Sequence, residues 1–214
     1  MTDLTRTAAG STFRLHAPDG SSGSLFVPMP GAHNARNAAA AATAALAMGV
    51  GFDAIADALS TFRGVGRRFH HRGEANDVLL VDDYAHLPTE VNAAIDAATD
   101  LGRRRIVAVF QPHRYSRMQA LWQDFVDSFD DADVLVITGI YSSGEKPREG
   151  ITSQLIVDAV LGGAAPPAVI HLPDRATLAT EVVELLEPGD VCLTLGAGDL
   201  VTLADELLPL LENR

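Results

Sequence analysis

Val78-Leu79-Leu80-Val81, followed at once by Asp82-Asp83-Tyr84-Ala85-His86-Leu87-Pro88, is an apolar run that breaks into a polar loop and then a proline. An apolar run this short, closed by turn residues, reads as a strand buried on both faces. The proline suits the first turn of a following helix, where its missing N–H costs nothing. The same order repeats downstream. Arg105–Phe110, Val134–Thr138, Ala168–Leu172 and Val191–Leu195 read as strands. Between and after them, helices are expected over Pro88–Leu101, Arg117–Phe129, Ser153–Leu161, Arg175–Leu186 and Leu200–Leu211. Strands separated by single helices pair in parallel through right-handed crossovers, so residues 67–214 are expected to form an α/β, Rossmann-like, doubly wound and mostly parallel sheet.

Working toward the N-terminus, residues 1–66 follow a different pattern. Thr12–His16 and Ser24–Pro28 flank the turn formers Pro18-Asp19-Gly20-Ser21-Ser22-Gly23, which predicts a β-hairpin. Pro30-Gly31 precedes an alanine-rich helix over His33–Met48, and a second helix is expected over Phe52–Phe62. Two strands and two helices bury too little apolar surface to stand alone. The reading is therefore the tail of a domain whose beginning lies upstream. Local cues refine the helices: Ser116 and Gln119 have capping-box spacing, Asp174 is placed as an N-cap, and Arg103-Arg104-Arg105 reads as a solvated turn.

Composition narrows the function classes. The 214 residues are 47% hydrophobic and 21% charged, with a formal net charge of -12. A surplus of acid argues against nucleic acid or an anionic membrane as a partner, since phosphate backbones are held by excess Lys and Arg. The single cysteine, Cys192, excludes an internal disulfide framework and suits a reducing cytoplasm. Neither a secretory leader nor an apolar stretch of membrane-spanning length is expected.

Chemistry collects where a parallel sheet binds its ligands, beyond the carboxyl ends of the strands. Tyr84 and His86 follow the first strand of this region, and His113, Arg114 and Arg117 follow the second. An imidazole with an ordinary pKa near ~6.5 is suited to orienting or deprotonating an amine. Arg114 and Arg117, three residues apart at a loop-to-helix junction, can aim at one carboxylate or phosphate with help from the helix N-terminus. Gly196-Ala197-Gly198-Asp199 lacks the third glycine of a dinucleotide loop and reads as a tight turn, which disfavours a nicotinamide-binding domain. His70-His71 has no paired ligand spacing, and no metal site is expected. No GxxxxGK[ST] phosphate loop occurs in the chain.

Six ordered segments together resemble the Mur ligase family, and they span nearly the whole chain. They are GAHNARNAAAAATAAL (31–46), FRGVGRRF (62–69), VDDYAHLPTEV (81–91), FQPHRYSRMQALWQDF (110–125), IYSSGEKPREGI (140–151) and LTLGAGD (193–199). The segment at 110–125 points to the branch that adds L-alanine to UDP-N-acetylmuramate. The resemblance implies that 1–66 is the end of a central ATP-binding domain and 67–214 the C-terminal domain. It further implies that Asn34 and Asn37 hold adenine, that Arg68 reaches the nucleotide phosphates, and that Asp83 lies near the ribose. His86, Arg114 and Arg117, with Tyr84 and His113 beside them, would receive the amino acid. The implied reaction is ATP-driven amide formation through an acyl phosphate. ATP and Mg2+ are the implied cofactors, with the metal ligands and phosphate loop in upstream domains. Where many family members carry two adjacent histidines, this chain has His86-Leu87. A ligase that recycles murein tripeptide and a non-catalytic binding module on the same fold are the alternative readings.

Overall fold

The computed structural model describes residues 1–17 and 20–214, and divides into two compact units. Pro18 and Asp19 of the expected turn lie outside the described residues.

The first unit comprises residues 1–65 together with 96–102. Its sheet has three antiparallel strands, β1 (Thr2–Thr7), β2 (Gly10–His16) and β3 (Ser22–Val27), in the order β1-β2-β3. The expected hairpin is the β2–β3 pair, and β1 is an addition to it. That strand, TDLTRT, is almost wholly exposed and carries no apolar alternation to betray it. Two helices follow, α1 (Ala32–Ala47) and α2 (Phe52–Ser60). Ala35, Ala38, Ala39 and Ala42 form the buried stripe of α1, so the small side chains bring that helix close to its neighbours. Gly31, at φ 91, precedes α1; a Cβ there would lie 2.7 Å from the Cβ of Ala97. Its N–H donates to Asp100 (2.9 Å), and Arg6 pairs with Asp96 and Asp100.

The second unit, residues 66–95 and 103–214, holds the larger sheet. Its strands are β4 (His70–Ala75), β5 (Val78–Asp83), β6 (Arg105–Phe110), β7 (Val134–Ile137), β8 (Ala168–His171) and β9 (Asp190–Leu195). The order across the sheet is β4-β5-β9-β6-β7-β8, parallel throughout except for β4 at the edge. The five expected strands are present, in a doubly wound α/β arrangement. β4 joins β5 through Asn76 and Asp77, both at positive φ (50 and 59), as a tight two-residue hairpin requires. Its sequence, HHRGEA, is too polar to read as a strand in advance.

Every residue of β5 and β9 is buried, which explains their lack of polar alternation. Val78, Leu80, Val107, Val109, Val136 and Cys192 share one core cluster with α6 (Leu178–Leu185) and α7 (Leu203–Glu212). Phe110, of the other parity, meets Phe125 and Phe129, both at 5.3 Å between ring centroids. Burial and the neighbouring Asp190 push the Cys192 thiol up to about 12, so it is an inert part of this core.

Four local expectations are corrected. The segment 117–129 is not one helix: α4 (Tyr115–Leu121) passes into a 3-10 turn over Trp122–Phe125. Apolar spacing places Met118, Phe125 and Phe129 inward either way, and so could not reveal the break. The Ser116–Gln119 capping box is absent, because Ser116 and Gln119 bond instead to Glu145 and Arg148. Asp174 caps a turn at Ala176 rather than α6, which begins at Leu178. Finally, Arg103 and Arg105 are engaged rather than solvated: Arg103 pairs with Glu74 and Asp77, and Arg105 with Asp190 and Glu187.

Candidate functional site

Within the second unit, the loops after β5, β6, β7 and β9 lie at the same edge of the sheet. The His86 ring centroid is 5.4 Å from Tyr84 and 5.6 Å from His113, and His113 stacks on Tyr141 at 5.7 Å. An isolated parallel bridge between His113 and Tyr141 holds the second and third loops together. Tyr141 N–H donates to Pro112 (2.8 Å), and Arg114 N–H to Tyr141 (2.9 Å). Tyr141 is a site residue that sequence reasoning missed. Its position depends on pairing across 28 residues of chain, and no local spacing signals it.

His86 sits on a fixed loop. Glu90, in the first turn of α3 (Pro88–Thr99), accepts the N–H groups of His86 (3.1 Å) and Leu87 (3.2 Å) through one oxygen. This carboxylate cap holds the entry to the helix. The same oxygen lies 3.5 Å from His86 Nδ1, which in turn is 2.9 Å from the Tyr84 carbonyl.

His113 is 7% exposed, and its ring Nδ1 receives Arg117 Nη1 at 2.8 Å. Burial first, then the charge of Arg117 and the nearness of His86 and Arg114, hold the imidazole well below the usual range, at about 4. An unfolded chain binds the proton near 6.5. Stability contributed by keeping His113 neutral is therefore complete above about pH 6.5 and declines as pH falls toward about 4. An NMR titration is expected to show His113 uncharged across the neutral range, and Arg117→Ala is expected to shift its midpoint upward.

The two arginines are not a matched clamp. Arg117 is committed to the ring and the carbonyl (3.1 Å) of His113. Arg114, at φ 70, is exposed, and its guanidinium makes no hydrogen bond or ion pair among the described residues. Nor is the start of α4 open to an outside anion, as the sequence suggested. Glu145 already accepts Ser116 N–H (2.8 Å) and Ser116 Oγ–H (2.5 Å), and these bonds hold its carboxyl below its ordinary value.

Arg68 is exposed, with its guanidinium carbon 5.4 Å from the centre of the Tyr84 ring. Its neighbour Arg67, which sequence reasoning passed over, reaches the Gly196 carbonyl (2.9 Å) and lies 3.6 Å from buried Asp82. Asp82, hydrogen-bonded by Thr194, has its carboxyl raised by burial. Asp83 is 5% exposed, and its two oxygens accept Phe69 N–H and Ala85 N–H, both at 2.7 Å. It fixes the backbone that carries Arg68. The turn after β9 is built by close approach: a Cβ on Gly198 would lie 2.5 Å from both Gln111 Oε1 and Tyr141 Cγ.

In the first unit, Asn34 donates its side-chain amide to the Pro30 carbonyl (2.7 Å), while Asn37 is exposed. Among the described residues no three His, Cys, Asp or Glu side chains gather as a metal site, and no helix is long and apolar enough to cross a membrane.

Comparison with known proteins adds to this geometry. The profile described as "Mur ligase, glutamate ligase domain" matches residues 67–198. A UDP-N-acetylmuramate--L-alanine ligase of Geobacter sp. (strain M21) is 42% identical over 208 residues, covering 97% of this chain and 45% of that protein. Its counterpart from Anaeromyxobacter sp. (strain Fw109-5) is 45% identical over 190 residues, covering 89% and 41%. The chain thus spans less than half the length of these relatives. Among solved structures, UDP-N-acetylmuramate-alanine ligase from Thermotoga maritima superposes with a TM-score of 0.77 at 23% identity, covering 99% of this chain and 45% of that one. A murein peptide ligase from Psychrobacter arcticus gives 0.68 at 24%, covering 98% and 43%; both likenesses concern the fold alone.

Proposed function

The chain belongs to the Mur ligase family, and on that premise we propose that it is the C-terminal portion of an ATP-dependent ligase adding L-alanine to UDP-N-acetylmuramate. One observation carries the reading. His86, His113 and Arg117 form a continuous chain of contacts beside Arg114, which is unpaired among the described residues, at the strand ends where such sheets bind ligands. Arg114 holds the alanine carboxylate, and His86 faces the amine. Arg117 works through His113, as a positioning residue.

Two reactants held in line gain roughly 7–11 kcal/mol in good cases. ATP, when bound, supplies the phosphoryl group that activates the muramyl carboxylate. Arg68, exposed and without an ion pair among the described residues, fits the nucleotide phosphates, and Asp83 supports it by anchoring Phe69. In the first unit, Asn34 and Asn37 offer amide donors and acceptors to adenine. The phosphate loop and the Mg2+ ligands belong to upstream domains, without which the chain does not ligate.

Calorimetric titration of ATP tests the nucleotide assignment. Arg68→Ala is expected to weaken binding by tenfold or more, the effect of losing a charge-assisted bond of roughly 1.5–3 kcal/mol. Unchanged binding would remove Arg68 from the site.

A further inference from the structure

The partners of the two histidines differ in kind. The Tyr84 carbonyl, 2.9 Å from His86 Nδ1, can only accept a hydrogen bond. Neutral His86 therefore carries its proton on Nδ1, and its Nε2 is a bare lone pair. Glu90, 3.5 Å from the same nitrogen, favours that arrangement electrostatically. The Arg117 guanidinium, 2.8 Å from His113 Nδ1, can only donate. His113 must then be neutral, with its lone pair on Nδ1 and its proton on Nε2. The low proton affinity of this ring agrees with that requirement. Neither Nε2 has a hydrogen-bond partner among the described residues, and neither is sealed from solvent.

We infer that the neighbouring rings of His86 and His113 are locked in opposite tautomers by the Tyr84 carbonyl and Arg117, so that together they offer one acceptor and one donor to a ligand bearing both, namely an α-amino acid. The ligand class rests on the function proposed above; the tautomers do not. The arrangement discriminates. An amine or a carboxylic acid alone satisfies one of the two nitrogens, whereas an amino acid has a donor for His86 and an acceptor for His113. Leaving either nitrogen unpaired in a desolvated site costs affinity.

Nitrogen-15 NMR of the whole chain at neutral pH reads the tautomers directly. The expected result is a protonated Nδ1 with a bare Nε2 for His86, and the reverse for His113. The same protonated nitrogen in both rings, or a mixture in either, overturns the inference. Arg117→Ala is expected to let His113 populate the Nδ1–H form; an unchanged pure tautomer would show that the arginine is not the lock. L-Alanine is then added, with ethylamine and acetate as single-function probes. Alanine is expected to shift both Nε2 resonances, ethylamine only that of His86, and acetate only that of His113. Opposite tautomers that alanine leaves untouched would sustain the lock and overturn the amino-acid reading of the site.

Discussion

Replacing Asp190 by Ala is expected to destabilise the second unit by about 3–5 kcal/mol, the usual result of removing one partner from a buried ion pair. Asp190 opens the central strand β9 and is fully buried. Its carboxylate accepts Arg105 Nε (2.9 Å), Arg105 Nη2 (2.7 Å) and Glu187 N–H (2.8 Å). Truncation strands a guanidinium and an amide at the edge of the sheet opposite the histidines. Arg105 keeps only the looser contact with Glu187, at 3.3 Å, and the Leu185 carbonyl. The single tryptophan, Trp122, lies in this unit, so its fluorescence during urea unfolding reports the loss. An unfolding midpoint indistinguishable from the parent chain would mean that this pair does not hold the sheet.

The second large effect is on catalysis. In a ligase completed by the upstream half of a relative, His86→Ala is expected to lower kcat by roughly 10²–10⁴, the range for removing a positioned general base. Folding should be little changed. The His86 side chain is 12% exposed, but the loop is held through backbone N–H groups by Glu90, which the substitution leaves in place. A loss of activity that tracked a loss of stability would assign His86 a structural role instead. Arg117→Ala should act differently, altering the pH response through His113.

How far these features were legible depended on whether their cause is local. β5 and β9 announce themselves because burial on both faces leaves mainly apolar residues, as in Val78–Val81 and, Thr194 apart, Val191–Leu195. β1 and β4 are mostly polar edge strands, TDLTRT and HHRGEA, and their pairing partners alone define them. The histidines and arginines of the site were readable from their place after strand ends. Their division of labour was not. That Arg117 bonds to His113 while Arg114, at φ 70, has no side-chain hydrogen bond or ion pair among the described residues is a tertiary outcome that no residue pattern encodes. The Glu145 cap of α4 spans 29 residues of chain, and Tyr141 reaches His113 across a comparable gap. Asp82 and Asp83, adjacent in sequence, point to different neighbours: one to Thr194 and Arg67, the other to two backbone amides. Strand alternation predicts that divergence but not which of the two is held by amides.

The assignment of the amino-acid site is tested most directly by alanine kinetics in a fusion of this chain to the preceding half of the Geobacter relative. Arg114→Ala should raise the KM for L-alanine at least tenfold while leaving the KM for ATP unchanged, because its guanidinium has no other work among the described residues. Ligation with an unaltered alanine KM would contradict the account, since the amino acid would then be held somewhere other than beside His86 and His113.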